Sequence, residues 1–151
     1  MINPNVRRRA RERAVQFLYS IDFTKSDWEE ELEPFWEMNP SKPGVKHYAD
    51  MLIGGTCQNL DDLDTAIGAA LDNWSLDRIG AVERAALRVA YFEMSHCPDV
   101  PASVVINEAL EVSKVFGNDE SPRFINGVLE RLRKAAEGAA KTTPDAPLEE
   151  E

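Results

Sequence analysis

Long apolar runs are missing from this 151-residue chain. No stretch of about 18 apolar residues occurs, so no segment is suited to span a membrane. Cysteine is scarce: Cys57 and Cys97 are the only two. Two cysteines make no disulfide framework, and a reducing cytoplasm is the simplest setting. A signal peptide is not expected either, because the N-terminal arginines lead into an interrupted, amphipathic pattern. Gly54-Gly55 lacks the strand-turn-helix context of a phosphate-binding loop. Ser103 has no nearby base to activate it. His47, Cys57, His96 and Cys97 follow no zinc spacing, and adjacent His96 and Cys97 diverge on a helix. Asp61, Asp62 and Asp64 alternate with Leu60 and Leu63, which reads as a solvated helix face. Nothing in the chain marks an enzyme, a metal site or a cofactor site.

What the chain does have is helical periodicity and an uneven charge. Hydrophobic residues make up 43% and charged residues 29%, a balance that supports a folded core. No strand-type alternation is convincing, whereas apolar residues recur at helical spacing almost throughout. The expectation is an all-α domain of about six helices in residues 1–137. Residues 138–151 read as a disordered acidic tail.

The spacing predicts a first helix over residues 5–22, with Ala10, Ala14, Phe17, Leu18 and Ile21 on its apolar stripe. A second, aromatic-rich helix is predicted over 27–38, kinked or shortened by Pro34. A loop with two prolines and a glycine follows over 39–44. One long helical segment is predicted over 45–71, interrupted by Gly54 and Gly55. Ser75 reads as an N-cap. Further helices are predicted over 81–96 and 102–116, the latter stopped by Gly117. A last helix is predicted to be capped by Ser121, with Pro122 at its first position.

The net charge is −10, which at first argues against nucleic acid. Residues 7–13, however, hold Arg7, Arg8, Arg9, Arg11 and Arg13 against one acid, Glu12. A polyanion would meet one basic end on an acidic body. Helical steps put Arg7 and Arg11 on one face with Arg8 beside it, and Arg9 with Arg13 on another. With the stripe from Ala10 facing the core, these arginines are expected to point outward. Guanidinium groups suit phosphate oxygens and stack on bases. They crowd the positive end of a helix dipole, a cost that an anion there would offset.

Three other features have two readings each. Tyr19 lies about two turns beyond Arg11, placed either to stack an unpaired base or to pack at the stripe edge. Ser121-Pro122-Arg123-Phe124 opens a helix, where backbone N–H groups favour phosphate. Yet Asp119 and Glu120 would repel it, and Phe124 suits burial as well as stacking. Arg88 sits in the apolar run Ala85 to Ala90 and needs a partner. Glu108, equally embedded between Val105 and Leu110, is the expected one.

The chain resembles the NusB family over nearly all of its expected ordered part. Three blocks carry the likeness. The first is Arg7-Arg8-Arg9-Ala10-Arg11-Glu12 with Ala14, Gln16, Leu18 and Tyr19. The second runs from Val82-Glu83-Arg84-Ala85 through Leu87-Arg88 to Glu93. The third holds Asp99-Val100-Pro101, Val105-Ile106-Asn107-Glu108-Ala109, Lys114, Phe116-Gly117, Ser121 and Arg123 to Leu129.

The resemblance implies six to seven helices in two packed bundles, without metal or cofactor. It implies pairing with the ribosomal protein NusE and binding of single-stranded boxA RNA. That binding would recruit an RNA polymerase antitermination complex, notably on ribosomal RNA operons. It carries RNA contact onto Arg7, Arg8, Arg9, Arg11, Tyr19, Arg123 and Phe124, and the NusE surface onto the helix around Glu83. Ser103, where the family often has a basic residue, and Pro122, in place of a polar one, depart from the pattern. The acidic tail departs from it too. The competing functions are a protein-interaction module without specific RNA binding and an accessory domain of ribosomal RNA modification.

Overall fold

The computed structural model describes residues 3–72 and 74–142. Among them are seven α-helices, one 3-10 turn at Leu76–Arg78 and no strand. The helices are α1 (Pro4–Thr24), α2 (Trp28–Met38), α3 (Pro43–Gln58), α4 (Leu60–Ala70), α5 (Ala81–His96), α6 (Ala102–Phe116) and α7 (Ser121–Thr142).

Local chemistry starts the first helix. The Asn3 side chain accepts a hydrogen bond from the Asn5 N–H, and Pro4 occupies the first turn, where its missing N–H costs nothing. Ala10 and Ala14 are fully buried and let α3 approach closely, with Phe17 and Leu18 filling the rest of the stripe. The chain leaves α1 through Lys25, a left-handed residue (φ 59°) whose N–H bonds the Ile21 carbonyl. Asp27 caps α2, and Glu29, Glu30 and Glu31 complement its dipole.

Pro34 does not shorten α2, which runs through it to Met38. Pro34 and Glu30, whose carbonyl loses its partner, are both exposed, so water replaces that one bond.

The expected single segment over 45–71 is two helices, α3 and α4. The break falls at Asn59, not at the glycines. The Asn59 N–H reaches the Gly55 and Thr56 carbonyls, and its side chain donates to the Gly55 carbonyl at 2.8 Å. Gly55 instead serves close packing: a Cβ there would lie 2.0 Å from Cζ of Phe92 on α5.

Helices α1–α3 form one bundle and α4–α7 the other. Helix α5 joins them, packing on α1 and α3 as well as on α4, α6 and α7. Its buried side, Ala85, Ala86, Leu87, Val89, Ala90 and Phe92, is continuous with Leu52 and Ile53 of α3, Val105 and Val112 of α6, and Ile125 and Leu129 of α7. The last helix extends past the expected boundary at 137 to Thr142. The rest of the expected tail, residues 143–151, lies outside the described residues.

Candidate nucleic-acid interface

The arginines of α1 divide into buried and exposed groups. Arg11 does not point outward: it is 5% exposed, and its Nε and Nη2 donate to both oxygens of Glu93 at 2.8 and 2.7 Å. The sequence signal for this is present. Arg7, Arg11, Ala14 and Leu18 are spaced by four, three and four residues, so both arginines share the core azimuth. Burial works against the Arg11 charge, but hydrogen bonds and charge from Glu93 outweigh it and hold the guanidinium protonated. Arg7 is half-buried; it pairs with Asp99 at 3.2 Å and lies 5.0 Å from the Tyr48 ring centre.

Arg8 and Arg9 are exposed. Nε and Nη2 of Arg8 donate to Glu108 at 2.9 and 2.8 Å, which leaves Nη1 directed elsewhere. Hydrogen bonding to Glu108, and then its charge, raise the Arg8 pKa further above its ordinary value. Reciprocally, the Arg8 hydrogen bond pulls the Glu108 carboxyl down, against the upward push of burial. Arg9 bonds Glu12 one turn on at 2.8 Å. In both pairs the arginine is open to solvent while its carboxylate is mostly buried, 16% exposed for Glu108 and 17% for Glu12.

Tyr19 is 38% exposed and meets Phe23 edge to face, ring centres 4.9 Å apart. Eleven residues separate Arg8 from Tyr19, which puts them on nearly the same azimuth and about 16 Å apart along the axis. One face of α1 therefore carries a guanidinium at one end and an aromatic pair at the other. Phe23, itself 64% exposed, was not singled out in the sequence, although it lies one turn after Tyr19.

Arg123 is exposed, and Phe124 is half-buried. Phe124 lines an open cleft of about 390 Å³ with Trp74, Arg78, Glu83 and Ser121. Trp74, 58% exposed, and Arg78 are further residues the sequence pattern did not mark. Ser121 is not the N-cap. It is the first residue of α7, and its hydroxyl donates to Glu83 and accepts from the Asn118 N–H. The Asn118 side chain instead accepts from the N–H groups of Glu120 and Ser121. Glu83 thus has a structural bond as well as a place on the cleft wall.

The expected Arg88–Glu108 pair does not form. Arg88 donates to both oxygens of Asp64 on α4 at 2.8 Å and lies 3.8 Å from Asp22. Glu108 is taken by Arg8, with Arg11 3.5 Å away. The face of α5 that bears Arg88 is turned to α1 and α4, while Glu108 faces the start of α1. Among the described residues, no group of three or more histidine, cysteine or acidic side chains is placed to hold a metal. Burial pushes the Cys57 thiol up to about 11, away from reactivity. No helix among the described residues is long and apolar enough to cross a membrane.

Fold and site together define a class: a small all-helical protein of two packed bundles, carrying a cationic, aromatic-bearing helix face on an acidic body. The NusB family model matches residues 8–134. The transcription antitermination protein NusB of Desulfotalea psychrophila (strain LSv54 / DSM 12343) is 44% identical over 135 residues, covering 85% of this chain and 96% of that protein. The solved structure of T. maritima NusB superposes with a TM-score of 0.79 at 35% identity, covering 89% of this chain and 93% of that one. A structure of the antitermination factors NusB and NusE in complex with dsRNA contains a chain matching with a TM-score of 0.80 at 27% identity, over 88% of this chain and 99% of that one. The chain belongs to the NusB family.

Proposed function

We propose that this protein is a non-enzymatic, cytoplasmic transcription antitermination factor that binds a boxA-type single-stranded RNA together with a NusE-type ribosomal protein. The pair recruits an antitermination complex to RNA polymerase on ribosomal RNA operons. The observation that carries the RNA reading is the α1 face itself. Arg8 and Arg9 present accessible guanidinium groups, and Tyr19 with Phe23 offers π surface about three turns further on. Unpaired strands expose their bases to such stacking, whereas the deep groove of an A-form duplex hides them. Arg123 and Phe124 extend the same chemistry to the start of α7. Arg11 and Arg7 act by a different route: they anchor α1 so that its outer face is rigid. The part of the neighbouring cleft formed by Trp74, Arg78 and Glu83 is the proposed seat of the protein partner, its exposed tryptophan the kind of anchor that interfaces favour.

Titration of a boxA-type RNA, with and without the NusE-type partner, tests this reading. The two phosphate contacts from Arg8 and Arg9 contribute about −1.4 to the slope of log affinity against log salt. The partner should tighten binding. A flat salt response, or equal affinity for a scrambled strand, would sink the proposal in favour of a protein-only module.

A further inference from the structure

We propose that the cleft between α1 and the start of α3 is a second phosphate-binding point, which holds a backbone phosphodiester of the RNA strand. The inference rests on the RNA-binding reading and extends it to a place that the likeness to NusB does not assign. The cleft measures about 370 Å³ and is lined by Asn5, Val6, Arg9, Arg13, Pro40, Ser41, Lys42 and Val45. Three of these are cations and none is an acid, in a chain of net charge −10.

Arg13 makes the strongest case. The other four arginines of the N-terminal cluster each pair with a carboxylate: Arg7 with Asp99, Arg8 with Glu108, Arg9 with Glu12, Arg11 with Glu93. Arg13 is half-buried and bonds only neutral acceptors. Its Nε donates to the Ser41 hydroxyl at 3.1 Å, and its Nη1 to Gln16 and Asn39 at 3.0 and 3.2 Å. These contacts fix the direction of the guanidinium without neutralising it. Burial, followed by repulsion from Arg9, disfavours its charge, against a smaller attraction from Glu12. A desolvated cation beside another cation is the setting an anion relieves.

The ground around it matches. Lys42 is exposed, gives α3 no side-chain cap bond, and makes no side-chain hydrogen bond or ion pair among the described residues. It stands at the N-cap of α3, a 16-residue helix with no side-chain cap and no acid in its first turn. The N–H groups of Gly44 and Val45 therefore add to the positive field. Arg9 belongs both to this cleft and to the outer face of α1, so a strand crossing that face reaches the cleft without a gap.

The full chain with its NusE-type partner serves for the test, together with Lys42→Gln and the double variant Arg13→Gln/Lys42→Gln. Lys42→Gln should leave the thermal melt unchanged, lower RNA affinity about 3- to 10-fold near 0.1 M salt and reduce the salt slope by about 0.7. The double variant should remove about as much again. If the wild type binds RNA and both variants match it in affinity and slope, the second point is refuted while the parent reading stands. Failure of the wild type to bind any RNA overturns the parent reading and this one with it. Amide NMR on Gly44 and Val45 separates the sources of phosphate. Shifts with RNA that Lys42→Gln abolishes support strand anchoring. Shifts with inorganic phosphate but not with RNA make the cleft a free-anion site and overturn it. No shift with either ligand eliminates the site.

Discussion

Arg11 of α1 and Glu93 of α5 form a two-pronged ion pair in the core, with Glu93 fully buried and Arg11 5% exposed. Tyr48 of α3 donates its hydroxyl to the same carboxylate at 2.6 Å. Burial, then the Glu93 hydrogen bond and charge, push the Tyr48 pKa up, so the hydroxyl remains a donor at any ordinary pH. One carboxylate thus ties together three helices, two of them in the N-terminal bundle and the third the helix that joins the bundles. Removing charge from water costs several kcal/mol per ion, and only full satisfaction of the group offsets it. Glu93 has that satisfaction, with two guanidinium donors and one hydroxyl.

Arg11→Ala should therefore act on stability before it acts on RNA. It leaves Glu93 buried without its cation, a loss of about 3–5 kcal/mol. Urea unfolding followed by far-UV circular dichroism reads it directly. Arg9→Ala, which removes only an exposed pair with Glu12, should change stability by less than about 1 kcal/mol while weakening RNA binding. An Arg11→Ala protein with a wild-type unfolding midpoint would contradict the burial described here.

The Arg8–Glu108 pair sets a pH dependence of definite sign. The folded Glu108 carboxyl lies below its ordinary range, held down first by the Arg8 hydrogen bond. A depressed folded pKa contributes stability above the unfolded value of about 4.3, and that contribution fades as pH falls through the folded value. The difference in unfolding free energy between wild type and Glu108→Gln should stay constant from about pH 8 to pH 5 and shrink below about pH 4. A difference that instead grew in acid would mean Glu108 is not held as a carboxylate by Arg8.

Much of this was legible in the sequence, and the failures have physical causes. Helices α5 and α6 were read with their observed bounds because each has a clear apolar stripe and is bounded by Pro98, Pro101 or Gly117. The division of α3 from α4 is not legible in the same way, because the local breakers in that stretch are the glycines. Gly55 answers to Phe92, a residue far along the chain, and Asn59 gives no strong stop signal. The inward turn of Arg11 could be read from its spacing to Ala14 and Leu18, but its partner lies 82 residues away. No local rule finds such a partner. The same limit explains Arg88, whose need for a charge was evident and whose choice of Asp64 depends on how α4 packs on α5. Arg13 showed its face in the sequence, yet Ser41 and Lys42 meet it only after the turn before α3 folds against α1.

Two glycines should respond in opposite directions to alanine. In Gly55→Ala the new methyl would meet the Phe92 ring at 2.0 to 2.6 Å. Overpacking of this kind costs about 1–3 kcal/mol or more, because the ring is held in the core. At Gly68, inside α4, an added Cβ meets nothing within 4 Å. Gly68→Ala should stabilise by about 0.4–1 kcal/mol by restricting the unfolded chain and favouring the helix. Thermal melts of the two variants settle both signs, and a neutral Gly55→Ala would mean that α3 and α5 sit further apart than described.

The partner exchange at Arg88 is open to a double-mutant cycle. Arg88 holds Asp64 through two bonds of 2.8 Å, with side-chain exposures of 15% and 27%. Truncating Arg88 and Asp64 singly and together should return a coupling of about 1 kcal/mol, at the upper end for a pair that water still reaches. The same cycle on Arg88 and Glu108 should return nothing beyond about 0.3–0.5 kcal/mol, the scatter expected of independent sites. Asp22 is the control with intermediate character: Arg84 holds it at 2.6 and 3.1 Å, and Arg88 lies 3.8 Å away. Its coupling should be larger to Arg84 than to Arg88. Strong coupling between Arg88 and Glu108 would restore the pairing inferred from sequence and require α5 to turn its face from α4 towards α6.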